Sequence, residues 1–242
     1  MAHGMPDDGN IVYEENLYRS DDLGELAIRL GAPGAYIRSG HVIWQDNFTQ
    51  GISQWIQMPL GVDSVALLDN AAWVTGGVGL QLYADDSDPG LILLTRLVGI
   101  PYAGRYGLAA MLILDPTTYQ ISMGCYALHA FPRQEYRITY DHVAKTLAYF
   151  SSAGAEVVFA DAVAVEDGAI VAYPAKLVFD SVKREYVKFF FAGVEYDLSG
   201  LGCRTAAVAP TWLIALRFVG ESTGANASKV WLDDIILSID EP

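Results

Sequence analysis

From His41 onward the chain is a succession of short apolar or alternating runs broken by turn residues. The run 134–140 alternates cleanly, placing Tyr136, Ile138 and Tyr140 on one face and polar side chains on the other. The runs 91–98 and 105–114 are apolar enough to be buried strands, the second ended by Asp115-Pro116. Further strands are predicted over 41–48, 65–68, 72–74, 79–83, 120–129, 146–151, 156–159, 173–180, 186–191, 194–198, 211–220 and 230–239. Their connections carry turn chemistry: Asp85-Asp86-Ser87-Asp88-Pro89-Gly90, Ser152-Ala153-Gly154, Ser181-Val182-Lys183-Arg184-Glu185 and Ala192-Gly193. Short strands at hairpin spacing are the signature of a β-sandwich or barrel. No exact repeat and no linker divides the chain after residue 41.

The first 40 residues follow a different pattern. Residues 1–20 are polar and show no apolar period, which predicts an extended arm. Ser20-Asp21-Asp22 then precede Leu23, Leu26, Ala27 and Leu30, with Gly31 after them. That is a helix start, one apolar stripe and a stop. A helix this short is marginal alone, so its stripe must dock on something. The domain reading is an anchoring and oligomerising arm over 1–40 and a sandwich over 41–242.

Composition narrows the class. An apolar fraction of 52% is enough for a sizeable core. Fourteen tyrosines, nine phenylalanines and five tryptophans favour strands. The net charge of −14 argues against binding a nucleic-acid backbone. No apolar stretch reaches the ~18 residues of a membrane span, and no basic region with an apolar run behind it opens the chain. Cys125 and Cys203 lack metal-site spacing and read as buried free thiols. The spacings Asn47-Phe48-Thr49 and Asn226-Ala227-Ser228 match glycosylation sequons, which carry weight only in a secreted chain.

Asp46, Phe48, Gly51 and Trp55 form an Asp-x-Phe…Gly…Trp opening, and Trp231-Leu232-Asp233-Asp234-Ile235 a closing strand. Between them stand Lys176-Leu177-Val178-Phe179-Asp180, Arg184-Glu185-Tyr186-Val187 and Gly193-Val194-Glu195-Tyr196-Asp197-Leu198. In this order the segments resemble concanavalin A-like (laminin G-like) jelly rolls and related carbohydrate-binding modules, over about residues 41–242. The resemblance implies an all-β jelly-roll sandwich whose first and last strands are neighbours. Fold analogy alone delivers no function. The segment Asp22-Leu23-Gly24-Glu25-Leu26-Ala27-Ile28-Arg29-Leu30-Gly31, with Gly40 to Phe48 after it, resembles the front end of structural proteins of tailed bacteriophages. It implies a virion component, with the arm as anchor.

Candidate chemistry is sparse. Adjacent first and last strands would let Asp46, Asp233 and Asp234 converge, and a structural calcium, which takes six to eight oxygen ligands, sits at this corner in related modules. The competing reading is a solvent-facing and a turn-capping aspartate. Asp85, Asp86 and Asp88 form a second acidic loop without the glycine and glutamate of an EF-hand. Glycosidases of this fold carry Glu-x-Asp-x-x-Glu on one strand. Here Glu195-Tyr196-Asp197 is followed by Leu198, Ser199 and Gly200, so the pair is incomplete. His3, His41, His129 and His142 show no zinc spacing. Gly76-Gly77-Val78-Gly79 opens onto a strand, not a helix, and reads as a turn. Trp55, Trp73, Tyr102, Tyr106 and Tyr126 could stack on sugars if exposed, although aromatics in a sandwich are mostly core.

These readings predict a non-enzymatic structural or adhesion protein on a virion surface, as a decoration, head-fibre or tail-associated component. Its expected partners are copies of itself (a trimer), capsid or tail proteins through residues 1–40, and a cell-surface glycan, with neither nucleic acid nor membrane. The alternative is a carbohydrate-binding module of a bacterial extracellular protein, and a third reading is a degenerate glycosidase.

Overall fold

The computed structural model describes residues 40–242 apart from 75–76, 88–89, 101, 129–131 and 208–210. The expected arm and helix of residues 1–40, with His3, lie outside the described residues but for Gly40, as do Gly76, Asp88 and His129. The described residues form sixteen strands. The first eight are β1 His41–Asp46, β2 Ile56–Leu60, β3 Val65–Asp69, β4 Gly79–Ala84, β5 Leu91–Gly99, β6 Arg105–Leu114, β7 Gln120–Ala127 and β8 Arg133–Asp141. The rest are β9 Thr146–Phe150, β10 Glu156–Ala160, β11 Val171–Asp180, β12 Glu185–Phe191, β13 Val194–Asp197, β14 Arg204–Ala206, β15 Leu213–Glu221 and β16 Ser228–Ile239.

Two antiparallel sheets face each other. The first has the order β13-β12-β11-β6-β16-β4-β3, with β1 also paired to β16. The second runs β10-β9-β8-β7-β15-β5-β2, with β14 paired to β8. This is the concanavalin A-like jelly roll. Alternate residues of each strand turn inward and meet in one core that includes Leu108, Tyr136, Phe179, Phe189 and Phe218. No helix of the described residues is long and apolar enough to cross a membrane.

The last strand organises the first sheet. β16 pairs with β6 along one side. On the other, Ser228–Leu232 pair with β4 and Ile235–Ile239 with β1. The change of partner falls at an irregularity between Asp233 and Ile236, where Asp234 takes a positive φ of 46°. A bulge bends a strand and re-aims its side chains, and aspartate tolerates this backbone better than most residues.

Polar groups are buried with purpose-built surroundings at two places. On the outer side of the first sheet, Lys176 Nζ lies 2.8 Å from Glu241 Oε1, both side chains nearly inaccessible. The Ser238 hydroxyl donates to the same carboxylate. Gly107 makes room: a Cβ there would stand 2.4 Å from Glu241 Oε1. In the 61–87 region, Asp85 accepts from the N–H of Asp63 and from the hydroxyls of Ser64 and Ser87. Those donors hold its carboxyl down at about 2. The acidic loop therefore uses Asp85 internally.

Three strand expectations change. Residues 72–74 form no strand. They lie over the outer side of the first sheet, where Ala72 packs on Ile113 and Trp231. β2 was missed because Pro59 breaks its pattern and every residue of it is exposed. Proline is accepted there because β2 is an edge strand. β14, of only three residues, was not expected either.

Candidate functional site

The inward side of β8 is the aromatic row that the alternation predicts, and it also fixes the backbone of the opposite face. The buried Tyr186 hydroxyl accepts from the N–H of Arg137 and donates to the carbonyl of Phe150. The Tyr136 hydroxyl donates to Gln134 Oε1 at 2.7 Å. Burial pushes both phenols well above their ordinary pKa, so they remain neutral donors. Strands β8 and β9 are thereby pinned from below.

The outward side of the same strands carries a set of charges. Ladder register places Thr95, Arg217, Gly124 and Arg137 in one row across β5, β15, β7 and β8. The next row reads Leu97, Ala215, Tyr126, Glu135 and Arg204. On the other side stand Val219, Ser122 and Thr139. Gly124, having no side chain, leaves the two arginines of its row facing one another. A recess of about 10 Å3 opens beside it, lined by Ser122, Glu135, Arg137, Arg217 and Val219 among others. That is room for a single water, so a larger ligand would lie across the face.

Four of the chain's ten arginines meet here: Arg133, Arg137, Arg204 and Arg217. Glu135 is buried beneath three of them, with Arg204 Nη1 at 3.5 Å, Arg217 Nη1 at 3.7 Å and Arg137 Nη1 at 4.0 Å. Arg137 Nη2 also lies 3.3 Å from Glu156 Oε1, which accepts from the Thr139 hydroxyl. Aromatic rings set the guanidinium planes. Arg133 and Arg217 stand 4.4 and 4.5 Å from the Tyr126 ring centre. Arg137 and Arg204 stand 4.0 and 5.3 Å from that of Phe150. Arg217 also donates to the Tyr126 hydroxyl. Burial, then the charge of Glu156, pushes the Glu221 carboxyl upward. Thr95 Oγ1, Arg133 Nε and Arg137 Nε are buried with no hydrogen-bond partner among the described residues.

No protein-family model matches this sequence, and no curated protein does. Solved structures match the fold. A cellulose-induced protein, Cip1, superposes with a TM-score of 0.52 at 15% identity, over 81% of this chain and 96% of its own. A structure titled as a conserved carbohydrate esterase from the Shiga toxin-encoding bacteriophage phi24B gives 0.55 at 13% identity, over 84% and 100%. An endo-β-1,4-glucuronan lyase from the fungus Trichoderma reesei gives 0.52 at 11%, over 82% and 95%. At these identities the likeness is one of fold.

The residues singled out in the sequence are placed differently from the arginine face. Asp46 is at the β1–β16 seam, opposite Ile235. Its Oδ1 accepts from the N–H of Phe48 and its Oδ2 from Trp55 Nε1, both at 2.8 Å. The buried Asp233 accepts from the N–H groups of Val74 and Asp234. No three His, Cys, Asp or Glu side chains gather as a metal site among the described residues. Glu195 and Asp197 lie exposed on the edge strand β13, the first paired with Lys188 and the second with the N–H of Ser199. Both cysteines are free and buried. Trp55 and Tyr106 are core, Trp73 and Tyr102 are exposed elsewhere, and Tyr126 alone of the five aromatics belongs to the arginine face. The arginines themselves were missed. Their one local signal is the polar half of the β8 alternation: Arg133, Glu135, Arg137 and Thr139.

Proposed function

We propose that this chain is a non-enzymatic, glycan-binding jelly roll, and that its glycan lies on the outer face of β15, β7 and β8. The arginine cluster carries this reading. Buried polar groups are ordinarily paired, and Thr95 Oγ1, Arg133 Nε and Arg137 Nε are not. A hydroxyl- and oxygen-rich ligand would supply their partners. Titles naming carbohydrate chemistry among solved structures of this fold support the ligand class.

The finer reading is a bacteriophage virion-surface protein, a decoration, head-fibre or tail-associated component. Residues 1–40 would anchor it to capsid or tail proteins, and copies of the chain would assemble as a homo-oligomer, a trimer in this proposal. The resemblance of residues 22–48 and the phage origin of one fold match support it. The runner-up is a carbohydrate-binding module of a bacterial protein.

A glycan-array screen tests the binding reading. The wild type is expected to retain a subset of glycans, and Arg217→Gln and Arg137→Gln to lose about tenfold or more in affinity, the worth of one charge-assisted hydrogen bond. Glycan retention unaffected by either variant would move the site elsewhere. Release of new chain ends, abolished by Glu221→Gln, would replace binding with catalysis. That carboxyl, pushed upward by burial and then by the neighbouring Glu156, is the feature that favours an enzyme.

Calcium at Asp46, Asp233 and Asp234 is a separate proposal, in which the ion shares oxygens of Asp46 and Asp233 that already accept amide or indole hydrogens. A ligand specific to the folded state stabilises by mass action. Excess chelator should then lower the melting temperature, and an unchanged melt after confirmed metal removal overturns the site.

A further inference from the structure

We propose that the glycan is acidic: a polysaccharide bearing carboxylates, bound by the guanidiniums of Arg217 and Arg137 on either side of Gly124. This rests on the glycan reading above and names its substrate class. The starting observation is a mismatch of charge. The chain carries −14 overall, yet four of its ten arginines share one patch of one sheet. Surface charge of one sign would scatter them. Here they are collected, and their planes are set by Tyr126 and Phe150.

Internal pairing does not consume the cluster. Two carboxylates pair with it, Glu135 and Glu156. Glu135 is buried beneath the guanidiniums and is not itself open to a ligand. Arg204 retains a side chain 46% exposed, and Arg133 and Arg137 each hold a buried Nε–H with no partner among the described residues. Four guanidiniums against the carboxyls of Glu135, Glu156 and the neighbouring Glu221 still leave an excess of cations inside a negative molecule, an arrangement that draws an anion to one place.

Guanidinium chemistry names the anion. Its planar fork matches the two oxygens of a carboxylate, and such bonds are roughly twice as strong as neutral ones. Spacing adds a shape. Arg217 Nη1 and Arg137 Nη1 lie 3.7 and 4.0 Å from the same Glu135 Oε1, so the two guanidinium ends converge although β7 separates their strands. One carboxylate of a linear polyuronate would therefore meet both, with its sugar over Gly124, where no side chain intervenes. The shallow recess suits a chain laid across the strands rather than an end group inserted into a pocket.

Calorimetric titration of the whole chain decides this, with polygalacturonate, its fully methyl-esterified form, a neutral galactan and inorganic polyphosphate. Polygalacturonate should bind, weaken as salt rises, and exceed its methyl ester about tenfold or more. Arg217→Gln and Arg137→Gln should abolish that preference. Arg204→Ala, a more exposed change, should reduce it. The comparison of ester and acid needs no variant, so a misfolded mutant does not blunt it. Equal affinity for the methyl ester or the neutral galactan overturns the acidic inference and leaves glycan binding standing. Polyphosphate binding tighter than polygalacturonate overturns it in favour of a phosphate-bearing ligand. Binding of no polymer overturns both readings.

Discussion

Glu241→Ala is expected to cost about 3–5 kcal/mol, the usual loss when one partner of a buried ion pair is removed. Lys176 and Glu241 are both sealed from water, and burial already pushes the Lys176 ammonium toward its neutral form. Coulombic attraction and the hydrogen bonds around Glu241 offset that burial. Without the carboxylate, the ammonium stays in the same enclosure and faces the desolvation cost without it. In a domain of this size each kcal/mol shifts the melting temperature by about 2–4 °C, so a drop of about 10 °C or more is expected. Lys176→Met should be comparably harmful. The double variant Lys176→Met/Glu241→Leu should recover most of the loss, because an apolar pair carries no desolvation cost. Thermal melts of the four proteins give the comparison. A single variant that melts with the wild type would mean that water reaches the pair.

Gly124→Ala is expected to damage fold and site together. An added Cβ would stand 2.0 Å from the carbonyl oxygen of Tyr136 and 2.8 Å from Cα of Arg137. Both are backbone atoms of the paired strand, so no side-chain rotation relieves the contact. The β7–β8 ladder must open where Arg137 and Arg217 flank Gly124. Overpacking of this kind costs about 1–3 kcal/mol, occasionally more. The melting temperature should fall, and glycan retention should be lost at temperatures where the variant is still folded. A variant with unchanged stability would show that the ladder has slack, and retention alone would separate the site from the row.

Most of the architecture was legible in local pattern. The β6 bounds coincide with the apolar run 105–114, and the inward aromatic row of β8 is the predicted Tyr136, Ile138 and Tyr140. The pairing of opening and closing strands followed from the family resemblance. β2 was illegible because both of its faces are exposed, which erases alternation, and Pro59 reads as a break. The arginine face was illegible for another reason. Arg137, Arg204 and Arg217 come from three separate strands, and only the ladder register joins them. Half of the signal was present in the polar positions of β8, but alternation says which residues share a face and not what stands opposite. Asp46 drew attention as an acid at a strand end, whereas its oxygens serve the Phe48 amide and the Trp55 indole.

The place of β16 carries a consequence for how the molecule is made. This strand lies in the interior of the first sheet, between β6 and the pair β4 and β1. A ribosome delivers β6 long before the residues that complete it, so Ile113 waits for Trp231. Until then both edges of that gap expose unpaired amides and carbonyls, the template on which strands of other chains add. Closure requires contacts remote in sequence, which form slowly. Synthesis rate and temperature should therefore govern the soluble yield of this protein more than the strength of its finished core.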